Sequence, residues 1–231
     1  MDEWIDYYDS THTIYASRLH RDLHFELIAR DIIGYIKAPD AVVLDYACGE
    51  ALSATKVADA CATLYLAEPA PGVRGRLAAR FAPNTKISVR SLDDLATMDA
   101  GSIDLVVMNS VAQYMTTQEL DAAFKVIHRL LKPSGRFVLG DILRPEVGMI
   151  RDVLALLHFA ATHGFLRDAL IGLVSTALSD YRQLRNKVGL QRYGEAEMIA
   201  KLGAAGFSAA RARRNIGHNP WRMTFEAQHR P

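Results

Sequence analysis

Two carboxylates and the small residues between them are the first candidates for chemistry. Asp45 opens the segment Asp45-Tyr46-Ala47-Cys48-Gly49-Glu50-Ala51, and Glu68 follows 23 positions later. The small side chains of that segment let a ligand approach the backbone, and a helix starting just beyond it presents free N–H groups to an anion. A carboxylate about twenty residues past a glycine turn is placed to accept the two hydroxyls of a ribose. Within the turn only Gly49 is glycine. The three-glycine fingerprint that offers bare backbone to a pyrophosphate is therefore absent, which makes a nicotinamide dinucleotide the weaker reading.

Other reactive side chains give thinner signals. Cys48 reads as a small residue of the turn rather than a reactive thiol, and two cysteines, Cys48 and Cys61, make neither a disulfide framework nor a four-ligand zinc site. His20 and His24 stand four apart and share a helix face. No companion ligand accompanies them, so they read as surface or pocket-edge histidines rather than a metal pair. Arg211, Arg213, Arg214 and Arg222 cluster near the carboxyl terminus without interleaved aromatics, which reads as a solvated strand and not a nucleic-acid platform.

The elements that must position these residues alternate. A helical preface carries Phe25, Ile28, Ile32 and Ile36 on one face, is weakened by Gly34 and ends at Pro39-Asp40. Strands are expected at 41–45, 63–68, 86–90, 103–109 and 136–141, with helices at about 51–61 and 73–80. Thr116 and Glu119 have capping-box spacing ahead of the stripe Leu120, Phe124, Ile127 and Leu131, and Lys132-Pro133-Ser134-Gly135 ends that helix. Beyond this, 145–193 reads as mostly helical, followed by a helix over 195–205. Two last strands, 209–216 and 222–227, are joined so closely that they must be antiparallel. The pattern implies an α/β, Rossmann-like, doubly wound fold: a mostly parallel seven-stranded sheet with an antiparallel terminal strand and a helical insertion. The whole chain, 1–231, is expected to be one domain. It divides into a helical cap (1–40), a ligand-binding core (41–142), a helical insertion (143–193) and a carboxyl-terminal helix with strands (194–231).

Composition narrows the class. The 231 residues carry 27 basic and 26 acidic side chains, and half are apolar. Such a chain is globular, not disordered, and has no global pull toward nucleic acid. The acidic start lacks the basic flank of a signal peptide, and the longest uncharged run in the insertion, 153–166, falls short of the roughly 20 residues that span a bilayer. A cytoplasmic protein is expected, with peripheral membrane contact left open.

Taken together, 43–51, Glu68, Ser91-Leu92-Asp93-Asp94-Leu95, Asp104 through Ser110, Leu130 through Arg136 and the late Tyr193-Gly194-Glu195…Ala205-Gly206-Phe207 resemble the class I S-adenosylmethionine-dependent methyltransferases of the small-molecule, type 11 kind. The resemblance covers roughly 40–142 and 190–227. It implies S-adenosylmethionine as cofactor, S-adenosylhomocysteine as product, and no metal. Asp45 would reach the methionine amino group, and Ala47, Cys48, Gly49 and Pro69 would line the cofactor. Glu68 would hold the ribose, Ser91 and Leu92 would meet the adenine, and Asn109 and Ser110 would lie beside the sulfonium. In relatives the amino-terminal helix closes over the cofactor, which makes Tyr7, Tyr15, Arg18 and Arg21 candidates for covering it or pairing with its carboxylate. Ala47 and Ala51 depart from the family's usual glycines; at positive φ each would cost about 1 kcal/mol.

Methyl transfer from a sulfonium asks chiefly for alignment, and a base only where the acceptor must lose a proton. Tyr15, His158 and His163 are the candidates for that role. The apolar insertion, with Leu154, Phe159, Phe165, Leu170, Ile171 and Val174 among its residues, reads either as a lid over an apolar or amphipathic acceptor or as packing against the sheet or a second subunit. The acceptor is then a small molecule, methylated on oxygen or nitrogen rather than carbon, by a monomer or homodimer. The rivals are a binding protein that keeps the fold without transferring methyl groups and a nucleotide-dependent oxidoreductase.

Overall fold

The computed structural model describes Ile5, Asp9 and residues 15–177 and 189–230. Tyr7, His12 and Leu178 lie outside the described residues. Short apolar runs form the strands β1 (Val42–Tyr46), β2 (Thr63–Ala67), β3 (Ile87–Arg90), β4 (Ile103–Asn109), β5 (Leu131–Ile142), β6 (Phe207–Arg211) and β7 (Met223–His229). They make one sheet in the order β3-β2-β1-β4-β5-β7-β6. The first five pair in parallel, while β7 runs antiparallel to both β5 and β6. The last strand in the chain thus lies inside the edge, and β6 closes the sheet. Its order reverses between β1 and β4, the crevice where an open parallel sheet binds ligands.

Strand alternation sends successive residues to opposite cores. Val43, Val107 and Val138 pack on one face with Ala29, Ile32, Val57, Val73 and Leu77. Leu44, Met108 and Phe137 pack on the other with Leu120, Phe124, Met198 and Phe207. The helices are α1 (Arg18–Ile33), α2 (Ala54–Asp59), α3 (Pro71–Phe81), α4 (Thr117–Leu130), α5 (Met149–His163), α6 (Leu166–Ala177) and α7 (Glu195–Ala204). The expected capping box is present at α4: Glu119 N–H donates to Thr116 Oγ1 at 3.2 Å, and Thr116 N–H to Glu119 Oε2 at 2.7 Å.

Four boundaries differ from expectation, three of them for identifiable reasons. α1 stops at Gly34 rather than at Pro39, because the Gly34 N–H closes the last turn on Arg30 and Ile32 carbonyls. α2 has only six residues, because Ala51 lies at φ 42° and cannot be helical. Lys132–Gly135 is not a turn but a bulged start of β5, where the register shifts between Ile103 and Leu105. Lys132 Nζ there reaches both Asp104 oxygens at 2.9 and 2.8 Å, and Asp104 also accepts the Val42 N–H. The last strand pair is displaced, β6 ending at Arg211 and β7 running on to His229.

The insertion forms two helices separated by Gly164 in the left-handed region (φ 80°). Phe159, Ala160, Phe165 and Ala169 turn inward and pack on Leu23 and Leu27 of α1. Leu154, Leu170, Ile171 and Val174 are more than half exposed or nearly so, pointing outward. The insertion therefore buttresses α1, which in turn walls the crevice. At the other end of that wall Asp9 Oδ1 accepts the Val73 N–H in the first turn of α3 at 2.9 Å. Gly72 makes room for it, since a Cβ there would collide with the Asp9 carboxylate. Among the described residues no helix is long and apolar enough to cross a membrane.

Candidate active site

At the carboxyl ends of β1, β2, β4 and β5 the chain bends sharply. Ala47 (φ 56°), Gly49 (59°), Ala51 (42°), Ser110 (60°) and Asp141 (62°) all occupy the left-handed region. Four of these are not glycine, and such strain gathers where a site over-determines the backbone. The two alanines thus adopt a conformation that favours glycine. The strand ends, α1 and the loop after β6 together enclose one cavity of about 650 Å³.

One half of that cavity is carboxylate-lined. Glu68 is 5% exposed, its Oε2 accepting the Gly49 N–H and its Oε1 the Ala70 N–H, both at 2.9 Å. Burial raises its pKa, while those two N–H groups and Arg74 pull it back. Asp45 has no such support from the described residues: burial first, and the Glu68 charge second, push it up to about 7. Cys48 is held as a neutral thiol, raised well above its ordinary value by burial and by both carboxylates. A thiol so placed is no nucleophile. No atom stands within 4 Å of where a Gly49 Cβ would be, so the cavity reaches the bare turn.

At the junction with the other half, Ser110 Oγ donates to Asp141 Oδ2 at 2.7 Å and accepts from Asn109 Nδ2 at 3.2 Å. Gly140 is required beside them, since a Cβ there would strike Asn109 Oδ1. Gln113 Nε2 donates to the Ser110 carbonyl at 2.8 Å. Asn109 Oδ1 and Gln113 Oε1 are buried acceptors without a donor, an arrangement that costs about 1–3 kcal/mol apiece unless a ligand supplies one.

The far half is lined by rings. His20, His24 and His218 have centroids 6.1–6.3 Å apart, with Tyr15 5.4 Å from His24. His20 stacks on Phe165 at 5.0 Å and His218 on Phe159 at 4.7 Å, so the insertion holds both rings. Burial, and then the neighbouring imidazoles, lower His20 and His24 to about 4, and burial lowers His218 as well. Tyr15 is raised by burial, so its hydroxyl stays protonated. Behind the rings Arg222 donates to Asp141 at 2.6 Å and lies 3.4 Å from Asp152. Burial works against its charge, but the two carboxylates prevail and raise its pKa.

The structure sorts the expected site residues. Asp45, Ala47, Cys48, Gly49, Glu68, Pro69, Asn109, Ser110 and Tyr15 line the cavity. Ser91, Leu92 and Arg18 do not. The Ser91 hydroxyl instead accepts the Asp94 N–H at 3.1 Å, beside the 3-10 turn Asp93–Thr97, and Leu92 packs on the sheet core. Arg18 is exposed at the start of α1, whereas Arg21, one turn on, reaches the cavity with a buried Nε that no hydrogen bond occupies.

His158 and His163 are exposed and outside the cavity; His163 Nδ1 lies 2.9 Å from the Phe159 carbonyl of its own helix. Helical period explains the miss, because burying Phe159 turns 158 and 163 away. Arg222 is no solvated strand residue but a partly buried ion-pair partner of Asp141 and Asp152. His218, Gln113, Asp141 and Arg222 were not foreseen as site residues. The available signals were the stripe 21, 24, 25, 28 and 32 on α1 and the position of Gly217-His218-Asn219-Pro220 at the carboxyl end of β6, on the ligand side of the sheet. Among the described residues no group of three His, Cys, Asp or Glu could hold a metal ion.

These residues fit S-adenosylmethionine better than a dinucleotide. Two inward carboxylates call for a cationic ligand rich in N–H and O–H groups, while a pyrophosphate would add negative charge beside Asp45 and Glu68.

An uncharacterized methyltransferase of Synechocystis is 30% identical over 47% of this chain and 50% of its own length. A chondramide synthase of Chondromyces crocatus is 38% identical over 34% of this chain and 2% of its own. The matches thus span half or less of those curated relatives. Magnesium protoporphyrin IX methyltransferase from Synechocystis, solved with bound S-adenosylhomocysteine, superposes with a TM-score of 0.58 at 18% identity over 99% of this chain and 94% of that one, a likeness of fold. The family model described as "Methyltransferase domain" matches residues 44–139, from β1 through most of β5. Over that span the chain is similar to a methyltransferase domain.

Proposed function

We propose that the protein transfers a methyl group from S-adenosylmethionine to a small apolar or amphipathic acceptor. The observation that carries this reading is a single cavity with carboxylates at one end and neutral rings at the other. When bound, the cofactor supplies a methyl group already activated on a sulfonium, so the chain's task is binding and alignment.

Glu68 holds the ribose diol with the lone pairs that Gly49 and Ala70 leave unused. Asp45 accepts from the methionine ammonium, and Arg21 pairs with the methionine carboxylate. Ala47, Cys48, Gly49 and Pro69 supply the close-fitting backbone wall, and Asn109 with Ser110 marks the boundary where acceptor and donor meet. The ring-lined half receives the acceptor and keeps water from it, with α1 and the insertion behind it as the lid.

Calorimetric titration with S-adenosylmethionine, S-adenosylhomocysteine and oxidised nicotinamide adenine dinucleotide tests the reading. Micromolar binding of the first two, and none of the third, is expected. Folded protein that binds neither, or that prefers the dinucleotide, overturns it.

A further inference from the structure

The start of α5 and the loop between β6 and β7 form one exposed face outside the cavity. Met149 and Ile150 are 59% and 76% exposed, and Leu154 follows Ile150 one turn along the helix, again more than half exposed. Trp221, 41% exposed at the end of the loop, lies beside them: the Arg151 guanidinium stands 4.7 Å over its ring. The loop is fastened to α5, since Asn219 Nδ2 donates to Asp152 Oδ1 at 2.7 Å and Arg222 reaches the same carboxylate. These four large apolar side chains stay in water although the helix also has an inward face, where Phe159 and Ala160 are buried.

Positive charge gathers on the same face. The stretch 211–222 holds Arg211, Arg213, Arg214 and Arg222 and no acidic residue, in a chain whose net charge is only +1. Arg211 is paired with Glu195, and Arg222 with Asp141 and Asp152. Arg213 and Arg214 between them are exposed and have no ion-pair partner among the described residues. The Ala212 N–H donates to the Thr224 carbonyl at 2.8 Å, and Asn215 Nδ2 to the Asn219 carbonyl at 3.1 Å. Those two bonds fold the segment back on itself, keeping the free arginines in one compact loop with Trp221.

We propose that this face docks on an anionic lipid surface. Apolar side chains projecting from a helix start, a tryptophan among them and uncompensated arginines around them meet both requirements of interfacial binding: burial of apolar area and attraction to negative lipid. A second copy of the chain is the poorer occupant. A twofold contact would bring these arginines against their own equivalents, with no carboxylate in the loop to answer them. The face adjoins the ring-lined half of the cavity, because His218 belongs to the same loop and stacks on Phe159 of α5. Resting on the methyl-transfer reading, docking sets that half beside the bilayer in which an amphipathic acceptor resides.

The test sediments the full chain, without cofactor, with vesicles of phosphatidylcholine alone or mixed with phosphatidylglycerol. Binding to the mixed vesicles should be about tenfold tighter than to the neutral ones and should weaken in high salt. Arg213→Ser and Arg214→Ser should each cost about fivefold, and Ile150→Ser about tenfold. All three positions are exposed, so circular dichroism should show unchanged folding. In a Trp4→Phe chain Trp221 is the sole tryptophan, and brominated acyl chains should quench its emission. Equal binding to neutral and anionic vesicles, no binding to either, an unquenched Trp221, or binding that survives Ile150→Ser in folded protein overturns the inference. So does light scattering that shows a wild-type dimer dissociated by Ile150→Ser, which assigns the face to a second copy. None of these readouts needs cofactor: their failure leaves methyl transfer standing, and a failed cofactor titration leaves the docking face standing.

Discussion

The two halves of the cavity are made in opposite ways. The carboxylate half is built from strand ends close together in sequence, and its Glu68 is fixed by backbone N–H groups of the turns it touches. The ring half is assembled from α1, the insertion and the β6–β7 loop, and its side chains are held by one another and by the Arg222 ion pairs. A backbone-made site depends on local conformation, which few substitutions can alter without breaking the turn. A side-chain-made site can be refashioned residue by residue over the same sheet, which suits a half that must match an acceptor.

The contrast can be broken most severely at Arg222. Replacing it by Met leaves Asp141 and Asp152 buried without their cation, which should destabilise the fold by about 3 kcal/mol. Thermal denaturation should show a Tm lower by roughly 6–12 °C, and the folded remainder should still bind S-adenosylhomocysteine. Loss of cofactor affinity in that folded remainder would mean the halves are not separable.

Glu68→Ala is the converse change, expected to weaken S-adenosylmethionine by about 1–3 kcal/mol through lost charge-assisted hydrogen bonds. Unchanged affinity in a folded variant would remove Glu68 from the site.

Asp45 sharpens the comparison through pH. Its folded pKa of about 7 means that a cationic ligand must displace a proton below that value. Affinity should rise by about tenfold per pH unit as pH approaches 7 from below and then level off, with proton uptake by the buffer on binding. Asp45→Asn should flatten the profile, and a wild-type profile already flat would show that Asp45 does not face the cation.

The ring half responds to acid through stability instead. His20 and His24 stay neutral in the folded protein down to about pH 4, while an unfolded imidazole takes up its proton near 6.5. Their contribution is complete above pH 6.5 and is lost as pH falls toward 4, on the order of 1 kcal/mol or more per ring. Denaturation of His24→Phe against wild type across that window should show a shallower decline for the variant.

The smallest effect belongs to the turn. Ala47→Gly and Ala51→Gly should each relieve up to about 1 kcal/mol of left-handed strain, raising Tm by roughly 2–4 °C. A fall in Tm at either position would show that the alanine methyl packs usefully.

Legibility followed the same division. The glycine turn, Glu68 and the strand ends Asn109-Ser110 could be read because each is a local string whose spacing fixes its place at the end of a strand. The capping box of α4 was legible for the same reason. The ring half was not, since His218 meets His24 only after β7 inserts between β5 and β6. Arg222 resembled its solvated neighbours because nothing local marks a residue whose counter-charges, Asp141 and Asp152, lie 81 and 70 positions away. Ser91 fell outside the cavity because its hydroxyl has a nearer use, the Asp94 N–H three residues on.

The contact between Asp9 and the start of α3 has a consequence for how this sequence can change. The carboxylate reaches the Val73 N–H only because residue 72 has no side chain. Any larger residue at 72 must displace Asp9, while loss of Asp9 frees position 72 to take one. In a library randomised at both sites, selected for folding, the two positions should covary: glycine at 72 wherever aspartate stands at 9, and wider choice at 72 wherever it does not.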